Sequence, residues 1–207
     1  MDRAPRAALE ALLTDARTRG FVGPGPIGAH ITHAEAWAAI LAGEPGPFLD
    51  LGSGAGLPGL VLALERAQDH ATLLDASDRR AAWLAHAVDE LDLSGRVEVR
   101  RGRAETVGRE HGLREGYALV VARSFGSAAE TAECATAFAR LGGAVSVSEP
   151  PAADPTRWPA DEVWRLGLVL ERTVVHDGAT FVILRKRGTL GDQFPRRDGL
   201  PHHRPLW

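Results

Sequence analysis

The chain has very little cysteine. Cys134 is the single thiol among 207 residues. One cysteine forms no internal disulfide and supplies no cysteine cluster for zinc, so the sequence predicts no metal site. Long apolar runs are also missing. No stretch approaches the ~20 residues needed to cross a bilayer, and the N-terminus has no charged segment followed by an apolar run of signal-peptide type. The expected location is therefore cytoplasmic, with no membrane partner. Positive charge is not in excess either. The formal net charge is -3, which argues against a globally basic nucleic-acid binder. That charge is uneven. Residues 185–207 carry six Lys/Arg against Asp192 and Asp198, a local +4, and the remainder is then -7. Repeats and low-complexity segments are absent. What is present is 44% hydrophobic residues, enough for the core of one domain with small extensions.

The most informative segment is Phe48-Leu49-Asp50-Leu51-Gly52-Ser53-Gly54-Ala55-Gly56-Leu57-Pro58-Gly59. It reads as a short apolar strand, a glycine loop and a helix. Glycines at alternating positions let the backbone turn tightly and approach a ligand closely. Pro58 suits the first turn of the helix that follows. Asp75 ends the next apolar run, where a carboxylate can hold ribose hydroxyls. Two ligands fit this pattern. Gly54-x-Gly56-x-x-Gly59 satisfies the dinucleotide fingerprint. Asp50-x-Gly52-x-Gly54-x-Gly56 equally satisfies the S-adenosylmethionine loop of Rossmann-like methyltransferases.

Along the chain, strands and helices alternate. Helices are predicted near Pro5–Arg17 and Thr32–Leu41, separated by a Gly/Pro linker at Gly20–Gly28. Strand Phe48–Leu51 is followed by helix Leu60–Arg66, strand Ala71–Asp75 and helix Asp78–Leu91, with Asp78 as cap candidate. Next come strand Val97–Arg100, a helical turn at Ala104–Gly108 and strand Ala118–Ala122. Helix Ala128–Arg140 is predicted to stop at Leu141-Gly142-Gly143, before strand Ala144–Val147. Pro150, Pro151, Pro155 and Pro159 mark a loop, and Asp161–Arg165 a short helix. Leu168–Val175 and Ala179–Leu184 flank His176-Asp177-Gly178, a hairpin signal. The expected fold is α/β, a mostly parallel seven-stranded sheet ending in an antiparallel hairpin. Residues 1–45 read as an N-terminal helical extension, 46–187 as the core and 188–207 as a basic tail. A terminal antiparallel hairpin favours the methyltransferase reading over a dehydrogenase. Trp37, Trp83, Trp158 and Trp164 read as packing residues, and Cys134 as buried helix filler.

Several segments together resemble the RsmG (GidB) family: Gly52–Gly59 as GSGAGLPG, Thr72–Asp75 followed by Arg79-Arg80, Arg101–Glu105 as RGRAE, Val121-Ala122-Arg123-Ser124, and the tail Phe194-Pro195-Arg196-Arg197-x-Gly199-x-Pro201 with Pro205-Leu206. The resemblance spans Phe48 to Leu206. It implies a Rossmann-like class I methyltransferase that uses S-adenosylmethionine to methylate N7 of a guanine in small-subunit ribosomal RNA. By that resemblance Gly52, Leu57, Ala104, Glu105 and Arg123 bind the cofactor, and the loop pattern adds Asp50, Ser53, Gly54 and Gly56. Asp75 joins them as the ribose-binding acid. Ala104 and Glu105 would meet the adenine edge, and Arg123, the catalytic candidate, would face the methyl-transfer pocket. The implied partner is ribosomal RNA or the small ribosomal subunit. His30, His33, Arg196 and Arg197 are candidates for the substrate side.

The sequence departs from the family pattern on that side. His30-Ile31-Thr32-His33-Ala34 keeps the first histidine of a His-x-x-Asp-Ser segment and loses the Asp-Ser. Ser148-Glu149 stands where Lys-Gly is usual, an anion in place of a cation that should weaken polyanion binding. Two alternatives follow: a paralogue methylating a small molecule or another RNA, and a non-catalytic cofactor-binding protein of RNA or ribosome assembly. A hydroxyl or amine acceptor would need a base, for which His30, His33 and Glu149 are the candidates.

Overall fold

The computed structural model describes residues 1–150 and 154–207. Helices α1 (Arg3–Thr18) and α2 (Ile27–Ile40) precede strand β1 (Phe48–Leu51), helix α3 (Gly59–Glu65), strand β2 (Ala71–Asp75) and helix α4 (Asp78–Glu90). Strand β3 (Val97–Arg101), helix α5 (Ala104–Val107), strand β4 (Tyr117–Ala122), helix α6 (Ala128–Thr136) and strand β5 (Ala139–Ser148) follow. Helix α7 (Ala160–Arg165), the hairpin β6 (Leu168–His176) and β7 (Ala179–Lys186), and helix α8 (Leu200–His203) complete the chain. Of the expected proline loop, Pro151 lies outside the described residues.

The sheet has seven strands in the order β3-β2-β1-β4-β5-β7-β6. β1, β2, β4 and most of β5 are buried on both faces, as parallel strands covered by helices must be. β7 alone runs opposite to the other strands, pairing antiparallel with β5 on one side and β6 on the other. Asp177 and Gly178 both have positive φ (48° and 75°), as a two-residue hairpin turn of matching twist requires. Successive side chains point to opposite faces, so β1 feeds two cores. Phe48 packs with Leu73, Val121 and Phe181 under α1, α2, α3 and α4. Leu49 and Leu51 pack with Val120, Phe138 and Val145 on the other face. The N-terminal helices give Leu9, Leu13, Ile31 and Trp37 to the first core, and the C-terminal segment gives Leu190 and Phe194 to the second.

The strands fall where the apolar runs predicted them except at the start of β5, and the larger differences lie at helix boundaries. α2 starts at Ile27 rather than Thr32. Pro26, extended at φ -64°, accepts from the N–H groups of Ala29 and His30 and so starts the helix. The cap of α4 is Ser77, whose Oγ accepts from Arg80 N, and Asp78 stands in the first turn. α6 ends at Thr136 and not at Arg140 because its last carbonyls go to non-helical donors. Lys186 Nζ bonds Thr136 O, while Glu115 N and Tyr117 N take Ala137 O and Phe138 O. Residues 139–143 therefore join β5, with a register shift opposite Tyr117/Leu119. Trp37, Trp83, Trp158 and Cys134 are buried, but Trp164 is 56% exposed beside the inward-facing Val163 of the short α7.

Candidate active site

Strand order reverses between β1 and β4, and an α/β sheet leaves a crevice outside the strand ends at such a point. Register fixes what meets there. Leu51 pairs with Ala122 on one side and Leu74 on the other, and Asp75 pairs with Arg101. The residues just beyond these ends, from Gly52, Asp75, Gly102 and Arg123 onward, share one level. They line a cleft of about 910 Å³, within the ordinary size of small-molecule sites.

The glycine loop is pinned by two carboxylates. Asp50, 1% exposed, accepts from Gly59 N at 2.9 Å through Oδ2 and so ties the strand to α3. Its Oδ1 has no partner among the described residues, and burial pushes the carboxyl up to about 7. Asp75 accepts from Gly54 N at 2.9 Å, from Ser77 N at 2.8 Å and from Arg80 Nε at 2.9 Å. It lines the cleft, and Arg80, with its side chain 42% exposed, is its ion partner. Gly52 and Gly54 have φ of 71° and 58°, in the left-handed region. Ser53 and Leu57 line the cleft as well; Gly56 packs against Leu60 and Leu84 instead.

Ala104 and Glu105 stand on the far wall. The Glu105 carboxylate accepts from Gly199 N at 2.8 Å and Arg103 Nη2 at 2.9 Å, and these bonds hold it below the usual carboxylate range against its burial. Glu105 thus anchors the C-terminal segment. So do two other buried carboxylates of α6: Glu130 meets His202 Nδ1 at 3.1 Å, and Glu133 is clasped by Arg196. Docked this way, Asp198, Gly199, His202 and His203 become part of the cleft wall.

Arg123 follows β4 directly. Its guanidinium is partly buried, which lowers its pKa, and no carboxylate lies within ion-pair distance among the described residues. Its Nη2 lies 2.9 Å from His30 Nδ1. His30 lines the cleft, with Phe21–Pro24 and Phe125 nearby.

Other substrate-side candidates are placed elsewhere. His33 points away from the cleft, packs on Trp37 and Phe181, and bonds Ser148 Oγ at 3.0 Å. Burial lowers its pKa to about 4. Arg196 does not reach the cleft, because the Glu133 pair and a backbone bond consume it. Arg197 is exposed and outside the cleft lining. The expected repulsive anion at Glu149 is corrected by burial. Its side chain is 3% exposed, accepts from Trp158 Nε1 at 2.9 Å and pairs with Arg157 at 2.8 Å, so its charge is neutralised inside the fold. Sequence reasoning missed Phe125 and the Phe21–Pro24 segment. The first immediately follows Arg123-Ser124; the second has the Gly/Pro composition of a linker. It also missed His202 and His203, beside the tail arginines it did single out.

Solved structures of similar fold include several methyltransferases. The O-methyltransferase from Bacillus cereus in complex with SAH superposes with a TM-score of 0.62 at 16% identity, covering 87% of this chain and 91% of that one. The Bacillus subtilis tRNA methyltransferase TrmK superposes with a TM-score of 0.56 at 16% identity, over 75% and 65%. These likenesses bear on the fold. Sequence relatives are nearer. The ribosomal RNA small subunit methyltransferase G of Moorella thermoacetica is 32% identical over 169 residues, 76% of this chain and 68% of its own length. That of Roseiflexus sp. strain RS-1 is 33% identical over 194 residues, 88% and 80%. The profile of the GidB family, rRNA small subunit methyltransferase G, matches residues 28–148, more than half of the chain, and the chain belongs to that family.

Proposed function

We propose that the protein is an S-adenosylmethionine-dependent methyltransferase acting on N7 of a guanine in small-subunit ribosomal RNA. The observation that carries the reading is Arg123: a partly buried guanidinium, free of any carboxylate among the described residues, beside a glycine loop at the strand-order reversal. The residues fit the cofactor. The cleft is large enough, its glycine loop turns through left-handed φ, and Asp75 stands at the adjacent strand end. Gly52, Ser53, Gly54 and Leu57 would hold the amino-acid part, Asp75 the ribose, and the Ala104–Glu105 turn the adenine edge. When bound, S-adenosylmethionine supplies a methyl group on a sulfonium, which needs no further activation.

The protein's task is then positioning. Guanine N7 is an unprotonated acceptor, so no side chain has to remove a proton there. Arg123 donates to O6, leaves the N7 lone pair free to attack the methyl group, and so helps set the base in line; positioning as a whole reaches about 7–11 kcal/mol in ideal cases. The internal pairing of Glu149 removes the main reason to look for an acceptor less anionic than RNA. The test is transfer of labelled methyl from S-adenosylmethionine to small ribosomal subunits lacking the modification. Label in one 7-methylguanine is the expected result. Cofactor binding without label in ribosomal RNA would overturn the substrate assignment.

A further inference from the structure

Two contacts of His30 bear on how Arg123 is aimed. Arg123 Nη2 is 2.9 Å from His30 Nδ1, and His30 Nε2 is 2.9 Å from Pro24 O. A guanidinium only donates and a carbonyl only accepts. Nδ1 must therefore present a lone pair, and Nε2 must carry the hydrogen. The two partners select one of the three protonation forms of the ring. We propose that His30 is a positioning residue. As the neutral Nε2–H tautomer it fixes the Arg123 guanidinium and ties it to the Phe21–Pro24 segment of the cleft wall.

The choice of imidazole has a physical consequence. An arginine side chain carries about 2 kcal/mol of rotamer entropy, which is lost at the moment of binding unless something fixes it beforehand. A carboxylate would fix it but neutralise it. Neutral histidine orients the guanidinium without pairing its charge, and Asp50 acts on that charge only through space. The remaining donors of Arg123 stay available, and no carboxylate competes for them among the described residues. The second bond adds a coupling. Gly23 and Pro24 line the same cleft, so the loop cannot shift without moving the ring that holds Arg123. His33, one turn further along α2, bonds neither His30 nor Arg123. It turns to Ser148 and the Trp37–Phe181 pair.

This inference rests on the function proposed above for Arg123, and its test separates the two. Asparagine places its amide oxygen near the Nδ1 position and keeps an acceptor for Arg123. Glutamine reaches the Nε2 position and keeps a donor for Pro24 only. His30→Gln is expected to lower kcat on the order of 10²-fold with a small change in S-adenosylhomocysteine affinity, the effect of a misaimed group. His30→Asn is expected to restore a large part of that rate. Equal loss in both variants, or no loss in His30→Gln, would overturn the proposal. An activity-independent readout is the imidazole ¹⁵N spectrum of the labelled chain, with His30→Gln identifying the His30 signals. A bare Nδ1 and a protonated Nε2 at neutral pH are expected, with the Nδ1 signal moving in Arg123→Ala. An Nδ1–H tautomer or an imidazolium would overturn it even if the acceptor proved not to be ribosomal RNA.

Discussion

Arg196 clasps Glu133 from 63 residues away: its backbone N–H and Nη2 each lie 2.7 Å from a carboxylate oxygen, and Nε is 3.0 Å from both. Glu133 is completely buried and Arg196 20% exposed. A buried pair of this kind gives little net stability as a whole, but loss of one partner strands the other charge. Glu133→Gln should cost about 3 kcal/mol in urea unfolding. S-adenosylhomocysteine affinity should fall with it, since the clasp holds residues 198–203 in the cleft wall. The double replacement Glu133→Met with Arg196→Met should recover most of the stability. A Glu133→Gln midpoint equal to wild type would show that the clasp does not hold the segment.

The Ser148-Glu149 departure leads to a second expectation. On charge alone, restoring Lys-Gly should strengthen RNA binding. The structure reverses that expectation for Glu149. Glu149→Gly removes the acceptor of Trp158 Nε1 and the counter-ion of Arg157, whose carbonyl in turn holds Trp207 Nε1. A loss of about 2–4 kcal/mol in thermal or urea unfolding is expected, with no gain in RNA affinity. Tighter RNA binding at unchanged stability would show that the anion faces the RNA after all.

These two cases show where legibility from sequence ended. The strands were readable because doubly buried parallel strands are short apolar runs, and Phe48–Leu51 and Ala71–Asp75 are two of them. The glycine loop and Asp75 were readable because a loop after a strand and an acid at the next strand end are local patterns. Helix ends were not, where distant groups set them: Lys186 takes the last carbonyl of α6 from fifty residues away. The C-terminal wall was unreadable for the same reason. Glu105, Glu130 and Glu133 look like solvated or ligand-facing acids until Gly199, His202 and Arg196 meet them. A charge in a sequence does not reveal whether its partner is a ligand or the chain itself.

Gly52 and Gly54 separate conformational strain from steric contact. Both have positive φ, so alanine at either costs about 1–2 kcal/mol. A Cβ on Gly54 would have only Gly52 O nearby, at 3.8 Å, whereas one on Gly52 would come within 2.6 Å of Phe125 Cδ2. Gly52→Ala should therefore lower the melting temperature more than Gly54→Ala, and disturb Phe125 beside Arg123. Differential scanning measurements on the ligand-free chain would decide. Equal losses would mean that Phe125 gives way freely and does not brace the loop.

Asp50 and His33 should give the chain two opposed pH dependences in one window. The Asp50 carboxyl is raised from 3.8 to about 7, chiefly by burial, and the His33 imidazole is lowered from 6.5 to about 4, again chiefly by burial. Between pH 4 and 7 the folded state holds a proton on Asp50 that the unfolded chain has released, so this group makes stability fall as pH rises. Between pH 4 and 6.5 the unfolded chain holds a proton on His33 that the folded state has released, so this group makes stability rise with pH. Each proton is worth up to about 1.4 kcal/mol per pH unit, and in the wild type the two largely cancel. The downward carboxylate shifts of Asp15, Glu105, Asp154 and Glu171 act at the lower edge of this window and below it, alike in both variants. Asp50→Asn keeps an acceptor for Gly59 N and removes the first slope, so its urea midpoint should climb from pH 4 to 6.5. His33→Gln removes the second, so its midpoint should fall from pH 4 to 7. Midpoints of the two variants that run parallel across the window would show that neither group is held in the protonation state its burial dictates.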